Sequence, residues 1–204
     1  MLALLIMLPE VKDYIIFDIE TCPLNLEGYD SLTEAEKGKL INPMDSRIVA
    51  IGVRHNGEDF VWCEDSEAVM LVSFWQFIEE SLRATNYQAK LVCFNGLEFD
   101  LPFLITRSFI NNIEIVPLIL NDTILDLRQK FSAYSYTSRA RGKLKEYGEA
   151  VGINDTGVSG KDIAGFCIAK QRQKIVEYLK NDLLVTDEVF KRARELKIIY
   201  VDKW

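Results

Sequence analysis

Histidine is almost absent from this chain: His55 is the only one in 204 residues. A histidine-based zinc centre is therefore excluded, and acid–base chemistry must fall to other side chains. Cysteine is sparse too. Cys22, Cys63, Cys93 and Cys167 form no Cys-x-x-Cys pair, so neither a zinc ribbon nor a disulfide framework is encoded, and a reducing, cytoplasmic setting is expected. Cys63 and Cys93 lie in apolar, strand-like runs and read as buried small hydrophobes. No apolar run approaches the roughly 18 residues that a membrane helix needs. Met1 to Leu8 is apolar but carries no basic flank and no small-residue cleavage site, so secretion and membrane contact are not expected. Residues 1–12 read as a tail that packs on the body or frays. Repeats and low-complexity tracts are missing as well.

An excess of positive charge is also lacking. The net charge is −7, which argues against a surface that coats nucleic acid wholesale. It does not exclude an enzyme acting on nucleic acid, because carboxylates that hold cations are neutralised once loaded. One stretch reverses the trend: Leu127 to Lys145 holds Arg128, Lys130, Arg139, Arg141, Lys143 and Lys145 with no acid, and Tyr134 and Tyr136 are interleaved with them.

What the chain has in quantity is core material, with 49% apolar and 11% aromatic residues. Residues 1–204 fit one domain. Tyr14 to Ile19 is a β-rich run that places Asp18 and Glu20 at the end of a central strand. The polar stretch 21–46 reads as a long loop with a helical turn near Thr33 to Lys39. Arg47 to Arg54 and Glu58 to Cys63 read as antiparallel strands joined by the turn signal His55-Asn56-Gly57. Ser66 to Thr85 has helical periodicity through Val69, Val72, Phe74, Phe77, Ile78 and Leu82. Lys90 to Phe94 is a buried strand, and Asp100 opens a helix with Pro102 in its first turn. Ile113 to Val116 is a short strand; Ile124–Phe131, Gly142–Val151, Lys161–Ala169 and Gln171–Leu196 are helices. This order fits an α/β domain with a mixed sheet.

Three acidic segments carry the chemistry. Asp18 and Glu20 alternate on a strand, so both point to one face, about 6.5–7 Å apart at the backbone. Two cations in a phosphoryl-transfer site lie about 3.5–4 Å apart, so one carboxylate can bridge them while its neighbour reaches one. Asp100 follows a strand and a loop containing Gly96; it reads as the helix N-cap, as a ligand, or as both. Tyr178 and Asp182 are spaced i, i+4 on the last helix and share a face. Glu98, Glu177 and Asp187 fall outside this set. Val158-Ser159-Gly160-Lys161 lacks the glycine spacing of a phosphate loop. A donor set of oxygens alone suits Mg²⁺ or Mn²⁺ and disfavours zinc.

Phe17-Asp18-Ile19-Glu20-Thr21 resembles the first motif of the DEDD superfamily of 3′–5′ exonucleases. Phe94-Asn95 through Phe99-Asp100-Leu101-Pro102 is similar to the second motif as found in proofreading domains of family-B DNA polymerases. Tyr178-x-x-x-Asp182 is similar to the tyrosine form of the third (DEDDy). The histidine form needs a histidine beside the last aspartate, and His55 lies in a hairpin, so only the tyrosine form is available. The resemblance implies an RNase H-like (DnaQ-like) mixed β-sheet flanked by helices, and a two-cation exonuclease. It implies that Asp18 bridges both ions, that Glu20 and Asp182 complete the nucleophile-side site, that Asp100 holds the second ion, and that Tyr178 orients the attacking water.

The implied substrate is the 3′ end of single-stranded DNA, with RNA as the alternative. Asn95 would meet the terminal nucleotide. Tyr134, Tyr136, Arg139, Arg141 and Lys143 would grip the strand by stacking and phosphate contact; a solvated surface is the competing reading of that segment. Two further readings stay open: a catalytically silent nucleic-acid-binding module, and a processing subunit that works with a polymerase or helicase.

Overall fold

The computed structural model describes residues 10–135, 142–153 and 157–202. Residues 1–9 of the expected tail lie outside them. Five strands form one mixed sheet: β1 (Tyr14–Pro23), β2 (Ser46–His55), β3 (Glu58–Trp62), β4 (Lys90–Cys93) and β5 (Ile124–Asp126), in the order β3-β2-β1-β4-β5. β1–β2 and β2–β3 are antiparallel, whereas β4 runs parallel to both β1 and β5. The β2–β3 turn falls on Asn56 and Gly57, with φ of 52° and 82°, the left-handed pair that a two-residue hairpin demands. The sheet with its flanking helices is the expected α/β, RNase H-like architecture.

Alternation along β1 sorts its side chains into two layers. Ile15, Phe17 and Ile19 join the core under α2 (Glu67–Ala84) and α3 (Asp100–Ile110). Ile16 joins the opposite core with Leu183, Val189 and Phe190 of α8 (Arg172–Glu195). Asp18 and Glu20 therefore share the α8 face. The register shifts between Glu20 and Thr21, where Val49 of β2 is the unpaired extra residue, a bulge at the position of the acids.

α8 reaches β1 closely because Gly52, the partner of Asp18 across the strands, carries no side chain. A Cβ there would lie 2.8 Å from Leu183 and 2.9 Å from Leu179. Further along α8, buried Asp187 accepts from Tyr14 Oη at 2.9 Å and from Arg54 Nε at 3.0 Å, and Lys191 Nζ lies 3.0 Å away. Asp187 is thus fully engaged as a tether, in keeping with its omission from the acidic set. On the other face, Arg107 of α3 pairs with Glu67 of α2 through contacts of 2.6–3.1 Å, and Glu67 also accepts the Ile48 N–H at 2.7 Å.

The smaller helices are α1 (Glu34–Leu40), α4 (Leu120–Thr123), α5 (Leu127–Phe131), α6 (Leu144–Ala150) and α7 (Ile163–Ile168). α1 forms where the turn near Thr33 is expected, and Thr33 and Glu36 close a capping box.

Four expectations are corrected. Residues 113–116 are irregular rather than a strand, and the fifth strand is Ile124–Asp126, the first three residues of the expected helix. Lys90–Cys93 recruits those residues in parallel, a tertiary pairing that local periodicity cannot express. Val69 and Val72 of α2 are 53% and 48% exposed; the buried stripe runs instead through Met70, Leu71, Phe74, Trp75, Ile78 and Leu82. Cys63 lies just past β3 and is only partly buried, whereas Cys93 is fully enclosed.

Candidate metal centre

β1, β4 and β5 are parallel, and their C-terminal ends open on one edge of the sheet. Ligands of open α/β sheets gather at that edge. Asp18 and Glu20 extend from β1 onto the α8 face, and α8 delivers Asp182 to meet them. Carboxylate oxygens of Asp18, Glu20 and Asp182 all lie within 4.8 Å of one another, and among the described residues this is the one such grouping of acids, thiols or imidazole. Glu20 is buried, whereas Asp18 is partly exposed.

Asp100 arrives from a different direction. β4 pairs with β1 only from Tyr14 to Ile16, which leaves the upper half of β1 without a neighbour on that side. Asp100 fills the gap: its Oδ1 accepts the Ile19 N–H at 3.1 Å, and its carboxyl is a close neighbour of Asp18. Phe99, not Asp100, occupies the N-cap position of α3, and no side chain caps that end. The cap reading of Asp100 is thereby corrected, because its carboxylate is used across the sheet instead.

Crowding these acids costs free energy in the ion-free protein. Burial, then the charges of Asp100, Glu20 and Asp182, push Asp18 well above the usual carboxylate range. Burial, then Asp182 and Asp100, does the same to Glu20. Asp100 is raised by burial to about 6, with Asp18 and the Ile19 N–H opposing the rise. Tyr178, one turn before Asp182, is half-buried, and burial followed by the charges of Asp182 and Glu20 holds its phenol protonated. A cluster of oxygen donors that repel one another fits a hard divalent cation, whose charge cancels the repulsion.

Neighbouring features fall into place around this centre. A short loop brings Gly160 against the ring, such that a Cβ there would lie 3.9 Å from Tyr178 Oη. In that loop Ser159 and Asp162 cap a single 3₁₀ turn, and Lys161 pairs with Glu34 at 2.6 Å; it is not a phosphate loop. A cavity of about 790 Å³ lies away from the acids beside β5 and is lined by Val11, Lys90, Pro117 and Tyr200 among others.

The chain matches, over residues 46–198, the family described as predicted 3′–5′ exonucleases related to the exonuclease domain of family-B DNA polymerases. It belongs to that family. An uncharacterized protein of Methanocaldococcus jannaschii is 32% identical over 160 residues, covering 74% of this chain and 88% of that protein. Among solved structures, the family-B DNA polymerase of the archaeon Pyrobaculum calidifontis superposes with a TM-score of 0.67 at 15% identity, over 93% of this chain. That likeness concerns the fold, and the chain spans a quarter of that polymerase's length. The family match begins after β1 and so does not include Asp18 and Glu20.

The expected strand-gripping residues are less unified. Tyr136, Arg139 and Arg141 lie outside the described residues. Lys143 is exposed just before α6. Tyr134 Oη accepts from Lys130 Nζ and donates to Asp202 Oδ1, both at 2.8 Å, so its hydroxyl is tied to the end of the chain. Lys130 also reaches the Val201 carbonyl at 2.8 Å, and Lys145 reaches the Val158 carbonyl. These two basic residues serve the fold. Asn95 has a φ of 69°, a left-handed conformation that asparagine tolerates, and lies in the loop leading to Asp100.

Asp126 was not anticipated. This buried residue closes β5, and its carboxylate accepts the N–H groups of Asn95 and Arg128, each at 2.9 Å, and of Leu97 at 3.1 Å. An aspartate just before Leu127-Arg128 is an N-cap signal, which would have found the Arg128 bond but not the grip on the Asn95 loop.

Proposed function

We propose that this chain is a metal-dependent 3′–5′ exonuclease that hydrolyses the terminal phosphodiester of single-stranded nucleic acid, DNA by preference, using two cations, Mg²⁺ or Mn²⁺. What carries the reading is the meeting of Asp18, Glu20 and Asp182 within 4.8 Å, on the sheet edge where Asp100 and Tyr178 also arrive.

In this reading Asp18, which has Glu20, Asp182 and Asp100 as neighbours, would serve both cation positions. Bound cations would acidify the attacking water and neutralise charge on the leaving 3′-oxygen. Tyr178, held protonated beside Asp182, has a proton to donate in a hydrogen bond and orients the water. Asp100 serves two ends: its carboxylate holds the backbone of β1 at Ile19 while presenting an oxygen to Asp18. Asn95, at the mouth of the same edge, faces the terminal nucleotide.

The test is incubation of 5′-labelled single-stranded DNA and RNA with Mg²⁺ or Mn²⁺, beside an Asp18→Asn control. A ladder shortening from the 3′ end, lost in EDTA and in the variant, is the expected result. Equal cleavage by the variant would sink the assignment.

A further inference from the structure

The six basic residues between Leu127 and Lys145 do not behave alike once folded. Lys130 is consumed by Tyr134, Val201 and Asp202. Arg128 is different: its Nε is buried and meets no hydrogen-bond partner. A buried donor left unanswered costs free energy, the more so when it belongs to a charged group, so its persistence calls for an occupant.

The surroundings define that occupant. Arg128 lines a narrow cleft with Asn95, Glu98, Gln129, Ser132 and Tyr134, and its free volume is about 10 Å³. Such a space admits about one oxygen atom, not a base or a sugar. Glu98 lines the cleft without answering Nε. The cleft is also built rather than incidental. Asp126 binds the N–H groups of Asn95 and Leu97 on one wall and of Arg128 on the other, fixing the two walls together. It opens at the ends of β4 and β5, on the same sheet edge as the acids.

We propose that Arg128 is a phosphate-binding residue of the strand path, its guanidinium receiving a non-bridging phosphodiester oxygen near the terminal nucleotide, with Asp126 as the positioning residue that fixes it against Asn95. This deepens the exonuclease reading and rests on it. The arrangement gives the acidic centre a nearby cation for the polyanionic substrate, which the net charge of −7 otherwise opposes.

The probe is a short 5′-fluorescein oligothymidylate, followed by anisotropy in Ca²⁺ across a salt series, with a gel showing it intact. Arg128→Ala and Arg128→Gln should weaken binding and reduce the log–log salt slope by about 0.7, the value for one phosphate contact on a single strand. Arg128→Lys should keep most of the slope. Folding of each variant is checked by its melting temperature and its Mn²⁺-induced shift. Wild-type slope and affinity in folded Ala and Gln variants would overturn the proposal and mean that the cleft holds only a water; the exonuclease reading would stand if such variants still cut. A wild-type chain that neither binds nor shortens any oligonucleotide would remove the parent reading and this one with it.

Discussion

Asp100→Asn should stabilise the ion-free protein while weakening its response to metal. Asp100 is raised from 3.8 to about 6 in the fold, chiefly by burial. Between those values the native chain holds a proton that the unfolded chain has released, so stability falls as pH rises through this window. Above it the full cost applies, about 3 kcal/mol at 1.36 kcal/mol per unit. Asparagine keeps an oxygen for the Ile19 N–H and removes the charge. In EDTA near pH 8 the variant should therefore melt higher, by about 6 °C or more for a chain of this size. Near pH 5 the gap should narrow, because the wild-type carboxyl is by then largely protonated in the fold. Saturating Mn²⁺ should reverse the order, since a ligand at about 1,000 times its Kd adds about 4.1 kcal/mol to the protein that binds it. Calorimetry at the two pH values, with EDTA or Mn²⁺, reads all four corners. A variant less stable than wild type in EDTA at high pH, with a wild-type midpoint flat from pH 5 to 8, would refute the charge-crowding argument.

Three other outcomes are expected. Tyr178→Phe should keep the Mn²⁺-induced melting shift and lose roughly 10²-fold in kcat, the scale of a misplaced reactant; an unchanged kcat would remove the phenol from the mechanism. Gly52→Val would drive a side chain into Leu179 and Leu183, so a loss of about 1–3 kcal/mol should accompany weakened metal binding, both readable in one melting series with and without Mn²⁺. Arg107→Ala strands the buried Glu67 carboxylate and should cost about 3–5 kcal/mol in denaturant titrations, leaving the metal-induced shift in place because the pair lies on the opposite face.

Much of the centre was legible because its geometry is local. Strand alternation puts Asp18 and Glu20 on one face, and helical spacing aligns Tyr178 with Asp182, whatever the rest of the chain does. The lone histidine narrowed the motif without reference to packing. What escaped depends on partners distant in sequence. Three residues, Ile124 to Asp126, become a strand only because β4 lies beside them, so the helix reading of that stretch was too long. Asp100 looked like a cap because its neighbours in sequence are helical, yet its carboxylate answers Ile19, 81 residues away. Tyr134 read as a strand grip until the fold brought Lys130 and Asp202 against its hydroxyl.

Asp187 sits one turn and a residue beyond Asp182, and its knot with Tyr14, Arg54 and Lys191 works as a fulcrum for α8. On the site side of that fulcrum, Leu179 and Leu183 bear on the bare surface of Gly52, a contact that resists approach but does not fix angle. The aim of Tyr178 and Asp182 is therefore governed by a salt-bridge cluster that takes no part in chemistry. Damage to Arg54 should be felt first as a mis-set candidate centre in a chain that still folds.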